Sequence, residues 1–300
     1  MSGQLKEVRL RIKSVGTTQQ ITKAMKMVSA AKLRKAQDAI TQMRPYAKKL
    51  QEMLSNIVSS AEGDISMNLA TVRPIQKVLV IVVTSDRGLC GGYNSNLIKL
   101  AKQTIKEKYS EQNLKGNAEL LPLGKKGYEH FSKNNLPTGQ AGYKVIDHYW
   151  NIFADISFEN VQKAAKFAMD AFAAGKVDAV ELIYSEFKNA GTQRYIAEQF
   201  LPVAKTEKAE GQKQQDFIFE PGKEVLIEEL MPKILNTQLY KAVLDANASE
   251  HGARMTAMDK ATENANELLK SLKISYNRAR QAAITTELTE IVSGAAALQG

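Results

Sequence analysis

The sequence has few of the residues that build covalent or metal-bound frameworks. It contains one cysteine, Cys90, among 300 residues, which excludes an internal disulfide and a cysteine-based zinc site and suits a reducing compartment. The three histidines, His130, His148 and His251, are scattered and lack the spacing of metal ligands. We therefore expect no metal site.

Long apolar runs are also missing. No stretch of about 18 apolar residues exists, so the sequence predicts no membrane-spanning helix. The N-terminus lacks the apolar core of a secretory signal and goes directly into a heptad pattern, which argues against a cleaved presequence.

Proline and glycine are rare near both ends. Residues 4–44 contain no proline and one glycine, and residues 233–300 contain no proline and three glycines. Both ends therefore predict very long helices. The second stretch has 68 residues, which would reach roughly 100 Å at ~1.5 Å per residue.

The positive charge is confined to the first of these helices. Residues 1–60 carry 12 Lys and Arg against three acidic residues, whereas the other 240 residues carry 29 basic and 29 acidic residues. A basic helix is typical of a solvated face or of an arm that binds nucleic acid.

The first helix has the apolar seam of a coiled coil, with an interruption. The seam begins with the 3-4-3 spacing of Leu5, Val8, Ile12 and Val15. The same register then meets the polar residues Gln19, Thr22, Lys26 and Ser29, and becomes apolar again at Leu33, Ala36, Ile40 and Met43. Ile21, Met25 and Val28 form a separate stripe, about 200° round the helix. The interruption predicts weak pairing there, and the separate stripe predicts a surface for a third partner.

The last helix carries a matching seam. Its predicted positions are Met258, Ala261, Ala265, Leu268 and Leu272, followed by Ile284, Leu288 and Ile291. Arg278, Arg280 and Gln281 lie within one turn, before a small-residue tail. They are interpreted either as a solvated helix end or as a polar group that meets acidic partners.

The middle of the chain predicts a different architecture. Residues 77–86 form a nearly continuous β-branched run, typical of a strand buried on both faces. Strands and helices then alternate, which predicts a small open α/β sheet over residues 75–205, followed by a polar loop at 206–222. The predicted helices occupy 1–60 and 222–300.

No motif in this middle region predicts catalysis. The segment TSDRGLCGG, Thr84 to Gly92, follows the first strand, where a phosphate-binding loop would lie. Its glycines do not match the dinucleotide or P-loop spacing, so we interpret it as a tight turn. Cys90 has no nearby histidine to act as its base. We expect no catalytic residue and no bound cofactor.

Three blocks nevertheless resemble one family, the gamma subunits of rotary proton-translocating ATP synthases of bacterial type. They are RIKSVGTTQQITKAMKMVSAAKLRKAQ, VTSDRGLCGGYN and the stretch from ASEHGARMTAMDK to the C-terminal IVSGAAAL. The resemblance implies a Rossmann-like sheet domain inserted between two terminal helices that form an antiparallel coiled coil.

The resemblance also implies partners and a function. The coiled coil would be the rotor shaft within a ring of alpha and beta subunits, with the sheet domain beside the epsilon subunit and the membrane ring of c subunits. Proton flow would turn the shaft and drive ATP synthesis on the ring, at the cytoplasmic face of the bacterial inner membrane. The implied ring contacts are Lys23, Met25, Lys26, Arg254, Arg278, Arg280, Gln281 and Thr285.

Two other classes of function are weighed against this one. A coiled coil that binds nucleic acid would use the basic first helix, but the first 40 residues contain no aromatic side chain that could stack on bases. An α/β enzyme with helical arms would need an active-site motif, and none is found.

Overall fold

The computed structural model describes residues 2–60, 69–133, 143–203 and 223–299. Two long helices, α1 (Ser2–Ser60) and α6 (Lys223–Gln299), precede and follow the rest. The elements described between them are β1 (Val78–Val83), α2 (Tyr93–Lys108), α3 (Ser110–Leu114), β2 (Ala118–Leu123), α4 (Lys125–Lys133), β3 (Lys144–Val145), a 3-10 helix (Ile152–Ala154), α5 (Phe158–Ala173), β4 (Ala179–Asn189) and β5 (Thr192–Leu201). The predicted loop at 206–222 lies outside the described residues.

The chain divides into two compact units. The first combines Met1–Ser29 with Arg254–Gly300, and the second is Ala30–Ala253. Each long helix therefore contributes to both units.

In the first unit, α1 and α6 run antiparallel, which confirms the predicted coiled coil. Direct side-chain hydrogen bonds join Arg9 to Tyr276, Gln19 to Asn266, Thr22 to Thr262 and Lys26 to Asp259. The two residue numbers of each pair add up to 284 or 285. That constant sum is the signature of two antiparallel helices in a fixed register.

The seam of α6 differs in part from the prediction. Met258, Ala265 and Leu272 are buried as expected. Leu268 was predicted at the seam, but it is 42% exposed, whereas Leu269 is half-buried. This part of the prediction is wrong, because 3-4 and 4-3 spacings can both be drawn through these residues and only the partner helix decides between them.

The end of α6 also departs from the predicted seam. The register places Ser2 of α1 opposite residue 282 or 283, so residues 284–299 extend past the start of α1. Ile284, Leu288 and Ile291 are therefore 48%, 57% and 67% exposed.

The second unit is built around a five-stranded sheet, in the order β3-β2-β1-β4-β5. β1 lies at the centre and pairs in parallel with β2 and β4, while β5 is antiparallel to β4. This is the predicted open α/β sheet. All six residues of β1 are buried, as its continuous apolar sequence predicts.

Helices cover both faces of this sheet. Leu79, Ile81 and Val83 of β1 join a core with α5 and with residues 231–246 of α6. The alternate residues Val78, Val80 and Val82 join a second core with α2 and with Phe131 of α4. In the same unit, the resumed seam of α1 is buried at Leu33, Ala36 and Ile40.

Helix α6 contains one proline, Pro232, because it begins at Lys223, ten residues before the proline-free stretch 233–300. Pro232 removes one helical hydrogen bond, which costs about 3 kcal/mol in a helix interior. Its neighbours Met231 and Leu235 are 3% and 1% exposed in the core. Tertiary packing thus offsets the local propensity.

Candidate functional site

The separate apolar stripe of α1 is left uncovered by the chain's own helices. Ile21 is 53% exposed and Val28 58%, and Met27 beside them is 61% exposed. Met25 is half-buried and Lys23 is exposed. The stripe therefore points away from the α1–α6 seam, as the helical periodicity predicts.

The polar interruption of the seam faces α6 rather than solvent. Thr22 and Ser29 are 8% and 3% exposed. Lys26, which the sequence analysis assigns to a ring contact, donates from Nζ to the Asp259 carboxylate at 2.5 Å. At the predicted interruption, the two helices therefore meet through polar contacts instead of apolar ones.

Arg254 is also placed differently from a freely exposed contact residue. Its side chain is buried, with 7% of its surface exposed. A partner could reach this residue only through the small part that remains accessible.

The predicted polar group of α6 is exposed. Arg278, Arg280 and Gln281 all lie on the surface, as does Thr285. The Thr285 hydroxyl donates to the main-chain carbonyl of Gln281 at 2.9 Å, so this hydrogen bond does not use the Gln281 side-chain amide. These residues form one polar group at the point where α6 leaves α1.

The tail of α6 carries an apolar face that the sequence analysis assigned to the seam. Ile284, Leu288, Ile291 and Val292 are between 48% and 67% exposed. Their spacing of four, seven and eight residues places them within about 100° of arc on the helix. A monomeric chain rarely leaves such a continuous apolar face in water, so this face is a second candidate contact surface.

Tyr276 marks a contact that the sequence pattern did not indicate. Arg9 donates to its hydroxyl at 2.8 Å and lies 5.7 Å from its ring centroid. The hydrogen bond to Tyr276 raises the pKa of the Arg9 guanidinium above its ordinary value. The position of Tyr276, four residues after the seam residue Leu272, was the feature of the sequence that could have indicated this contact.

The segment Thr84–Gly92 is a packed turn at the carboxyl end of β1. The Ser85 hydroxyl donates to the Arg87 carbonyl at 2.7 Å, and the Asn94 side chain accepts from the Ser85 backbone at 3.0 Å. Gly91 has φ 59°, which explains a glycine there. The polar groups of this turn bind one another, so the geometry supports the interpretation as a turn.

The following turn approaches this one very closely. A Cβ at Gly124, whose φ is 118°, would lie 2.2 Å from the Thr84 carbonyl oxygen. Gly127 likewise has Thr84 Oγ1 at 2.7 Å from a hypothetical Cβ, and its backbone N–H donates to that hydroxyl. Gly124 is therefore required by close approach to the Thr84 backbone, and Gly127 by close approach to the Thr84 side chain.

The sheet unit also contains two buried carboxylates. Glu181 is 1% exposed and accepts from the Tyr109 hydroxyl and from Lys108, both at 2.9 Å. Burial and the adjacent Glu181 charge raise the pKa of Tyr109. Asp245 is also 1% exposed, and burial raises its pKa from 3.8 to about 6.

Among the described residues, the structure has neither a group of metal ligands nor a membrane-spanning helix. Within them, no three His, Cys, Asp or Glu side chains are grouped as metal ligands. Nor does any described helix combine the length and apolar character needed to cross a bilayer.

Comparison with known sequences gives matches over nearly the whole chain. A protein-family model described as ATP synthase matches residues 4–298. The ATP synthase gamma chain of Cytophaga hutchinsonii is 51% identical over 297 residues, which cover 98% of each chain. That of Chlorobaculum parvum is 47% identical over 295 residues, which cover 98% of this chain and 99% of the relative.

Solved structures give matches of the same kind. A chain of the central stalk and c-ring of Tetrahymena thermophila mitochondrial ATP synthase has a TM-score of 0.54 and 26% identity, covering 80% of this chain and 99% of that chain. A chain of the Euglena gracilis mitochondrial ATP synthase, in a structure of OSCP, F1 and c-ring, has a TM-score of 0.66 and 19% identity. It covers 99% of this chain and 95% of that chain, and its likeness is one of fold.

Proposed function

The chain belongs to the gamma-subunit family of ATP synthase, whose members are non-catalytic components of the central stalk, and we propose that its exposed helix surfaces are those that act on the catalytic ring. In this proposal the α1–α6 coiled coil is an asymmetric shaft inside a ring of alpha and beta subunits. Proton flow through a membrane ring of c subunits turns the shaft, and the shaft changes the nucleotide affinity of the beta subunits in turn.

The observation that carries this proposal is the exposed polar group at residues 278–285, followed by the apolar face of the α6 tail. A hydrogen bond between a guanidinium such as that of Arg280 and a carboxylate of the ring would contribute about 1.5–3 kcal/mol. Contacts of that size can form and break during rotation. Only contacts that differ between angular positions change a barrier, so the asymmetric placement of Arg278 and Arg280 is essential.

The apolar face of the tail has a different role in the proposal. Ile284, Leu288, Ile291 and Val292 would enter an apolar opening of the ring. Each large apolar side chain stabilises by about 1.5–3 kcal/mol when it is fully buried. Because the hydrophobic effect is non-directional, such a contact holds the shaft tip without fixing its angle.

The remaining predicted contact residues differ in how accessible they are to a partner. Lys23 and Met25 belong to the outward face of α1, and Thr285 to the polar group of α6. Lys26 is already paired with Asp259, so a ring carboxylate would have to compete with Asp259 for it. Arg254 is buried, so a ring carboxylate would have to reach the small part of it that is exposed.

The other partners in the proposal are the epsilon subunit and the c ring, which would meet the sheet unit. The two gamma chains reported above at 51% and 47% identity are bacterial, which supports the cytoplasmic face of the inner membrane as the location. The alternative of a nucleic-acid-binding coiled coil has no support among the matches reported above.

The proposal is tested in a reconstituted complex with the alpha, beta and epsilon subunits and the membrane sector. We expect Arg280→Ala to assemble normally and to lower ATPase activity by about tenfold to a hundredfold, since a charge-assisted hydrogen bond contributes ~1.5–3 kcal/mol. Gln281→Ala should cost less, because it removes no charge. Lys166→Ala, an exposed cation of α5, serves as the matched control.

Wild-type ATPase and proton pumping in both single variants and in the double variant would contradict the proposal. In that case these residues are a solvated helix face, and the shaft acts through other contacts.

A further inference from the structure

A polar layer interrupts the apolar seam of the coiled coil. It consists of three side-chain pairs, Gln19–Asn266, Thr22–Thr262 and Lys26–Asp259. The seam is apolar before the layer, at Ile12 and Val15, and after it passes through the small buried Ser29 to the apolar Leu33. Three successive seam positions of α1 are therefore matched by three polar positions of α6.

The layer is specific in its chemistry as well as in its position. An amide is paired with an amide, a hydroxyl with a hydroxyl, and a cation with a carboxylate. Thr262 Oγ1 lies 2.8 Å from Thr22 Oγ1 and 2.7 Å from the Met258 carbonyl oxygen, and its single hydroxyl proton serves one of these two acceptors at a time. Thr22 itself is 8% exposed, so a mismatch at this point would leave a buried hydroxyl against an apolar side chain.

These polar contacts stabilise the coiled coil less than apolar residues at the same seam positions would. The Lys26 and Asp259 side chains keep 40% and 44% of their surface exposed, and ion pairs of that kind contribute about 0–1 kcal/mol. Apolar residues at the same seam positions would stabilise the pairing more. Polar seam residues are best known for selecting one register and orientation at some cost in stability.

The sequence shows why only one register satisfies the layer. Sliding α6 by one heptad in one direction would place Lys273 opposite Gln19, Leu269 opposite Thr22 and Asn266 opposite Lys26. Sliding it the other way would place Met255 opposite Thr22. Either slide puts the buried Thr22 against an apolar side chain and removes the Lys26–Asp259 pair.

We infer that this polar layer is the register lock of the shaft, and that Lys26 and Asp259 are positioning residues within it. Through the register, the layer fixes the height of Arg280 on α6 relative to Met25 on α1 along the shaft. The statement about the ring rests on the function proposed above, whereas the statement about the register concerns this chain alone.

The register is measured by a disulfide in the isolated full-length chain. Cys90 is first replaced by Ala, and cysteines are placed at Thr22 and Thr262. Their hydroxyl oxygens are 2.8 Å apart, so the two side chains point towards each other across the seam. We expect rapid cross-linking in this background, slowed about tenfold by Lys26→Asp, which opposes two carboxylates across the seam.

Rescue separates a specific pair from general damage. Lys26→Asp with Asp259→Lys restores the opposite charges and should return the cross-linking rate to within about twofold of the reference. Lys26→Met removes the attraction without adding repulsion, and should slow the reaction less than Lys26→Asp does. Lys13→Asp makes the same charge change at an exposed position of α1 and is the control.

Equal cross-linking in the reference and in Lys26→Asp would overturn the register lock, and so would failure of the charge-swapped pair to restore the rate. The assembled complex provides the second measurement, protons pumped per ATP hydrolysed. We expect Lys26→Asp to lower this ratio at least about twofold and the charge swap to restore it. If cross-linking responds and the ratio does not, the lock is upheld and its link to the ring is refuted.

Discussion

Asp245 offers a test of how burial acts on charge in the second unit. It lies on α6 with 1% of its surface exposed, and its Oδ1 atom has no hydrogen-bond partner among the described residues. Its pKa is raised to about 6, mainly by desolvation and to a smaller extent by the charge of Glu186. Lys241, Arg44 and the Phe187 backbone N–H lower this pKa but do not cancel the effect of burial. Replacing Asp245 by Asn keeps the shape of the side chain and removes its titration.

The expected magnitude follows from the pKa. One pKa unit corresponds to ~1.4 kcal/mol, so a rise from 3.8 to about 6 makes ionisation of Asp245 cost the folded state about 3 kcal/mol. Because the folded state holds this proton more tightly than the unfolded state, the contribution is largest below pH 3.8. It decreases as the pH rises towards about 6 and remains lost above that value.

The assay is urea unfolding of the full-length chain between about pH 4 and pH 7.5, followed by circular dichroism. The free energy of unfolding of wild type minus that of Asp245→Asn should fall by about 2 kcal/mol over this range, because the unfolded state is already more than half ionised at its lower end. Asp170→Asn makes the same chemical change at an exposed position of α5 and is the control. Arg44→Met should move the midpoint of the decrease to higher pH, because it removes a cation that favours the ionised form.

A difference between wild type and Asp245→Asn that stays constant over the whole pH range would refute this reasoning. It would mean that water or a rearranged Arg44 compensates the buried charge.

Three further outcomes are expected. Gly124→Ala should destabilise the chain by about 3 kcal/mol or more in thermal melting, because its φ of 118° and the Thr84 oxygen 2.2 Å from the new Cβ both oppose a side chain. The control Gly88→Ala, where a Cβ meets no described atom within 4 Å, should be nearly neutral. Tyr109→Phe should cost about 1–3 kcal/mol in urea unfolding, because buried Glu181 loses a donor, and a neutral result would show that Lys108 alone suffices. The isolated chain should show no tight ATP binding in calorimetry, and a micromolar site would reopen the question of a nucleotide loop.

The amino-acid sequence by itself determined the main helices and the central strand of the chain. Two nearly proline-free ends with heptad spacing can bury their apolar stripe only against another helix, so they predict a coiled coil. The unbroken β-branched run of residues 77–86 can be satisfied only by a strand covered on both faces. The exposed position of Ile21 and Val28 also follows from the sequence, because helical periodicity fixes which residues share a face.

Only the tertiary structure decided which side chains meet. Periodicity does not fix the register between two helices, and for that reason it placed Leu268 at the seam and did not identify Asp259 as the partner of Lys26. The structure turns Lys26 to Asp259 and exposes Leu268, because the position of α6 along α1 is set by pairs more than 230 residues apart in the chain. The same register leaves residues 284–299 beyond the start of α1 and exposes an apolar face that local sequence alone would have buried. Contacts between distant segments depend on the sum of all side-chain matches along both helices, which no local pattern contains.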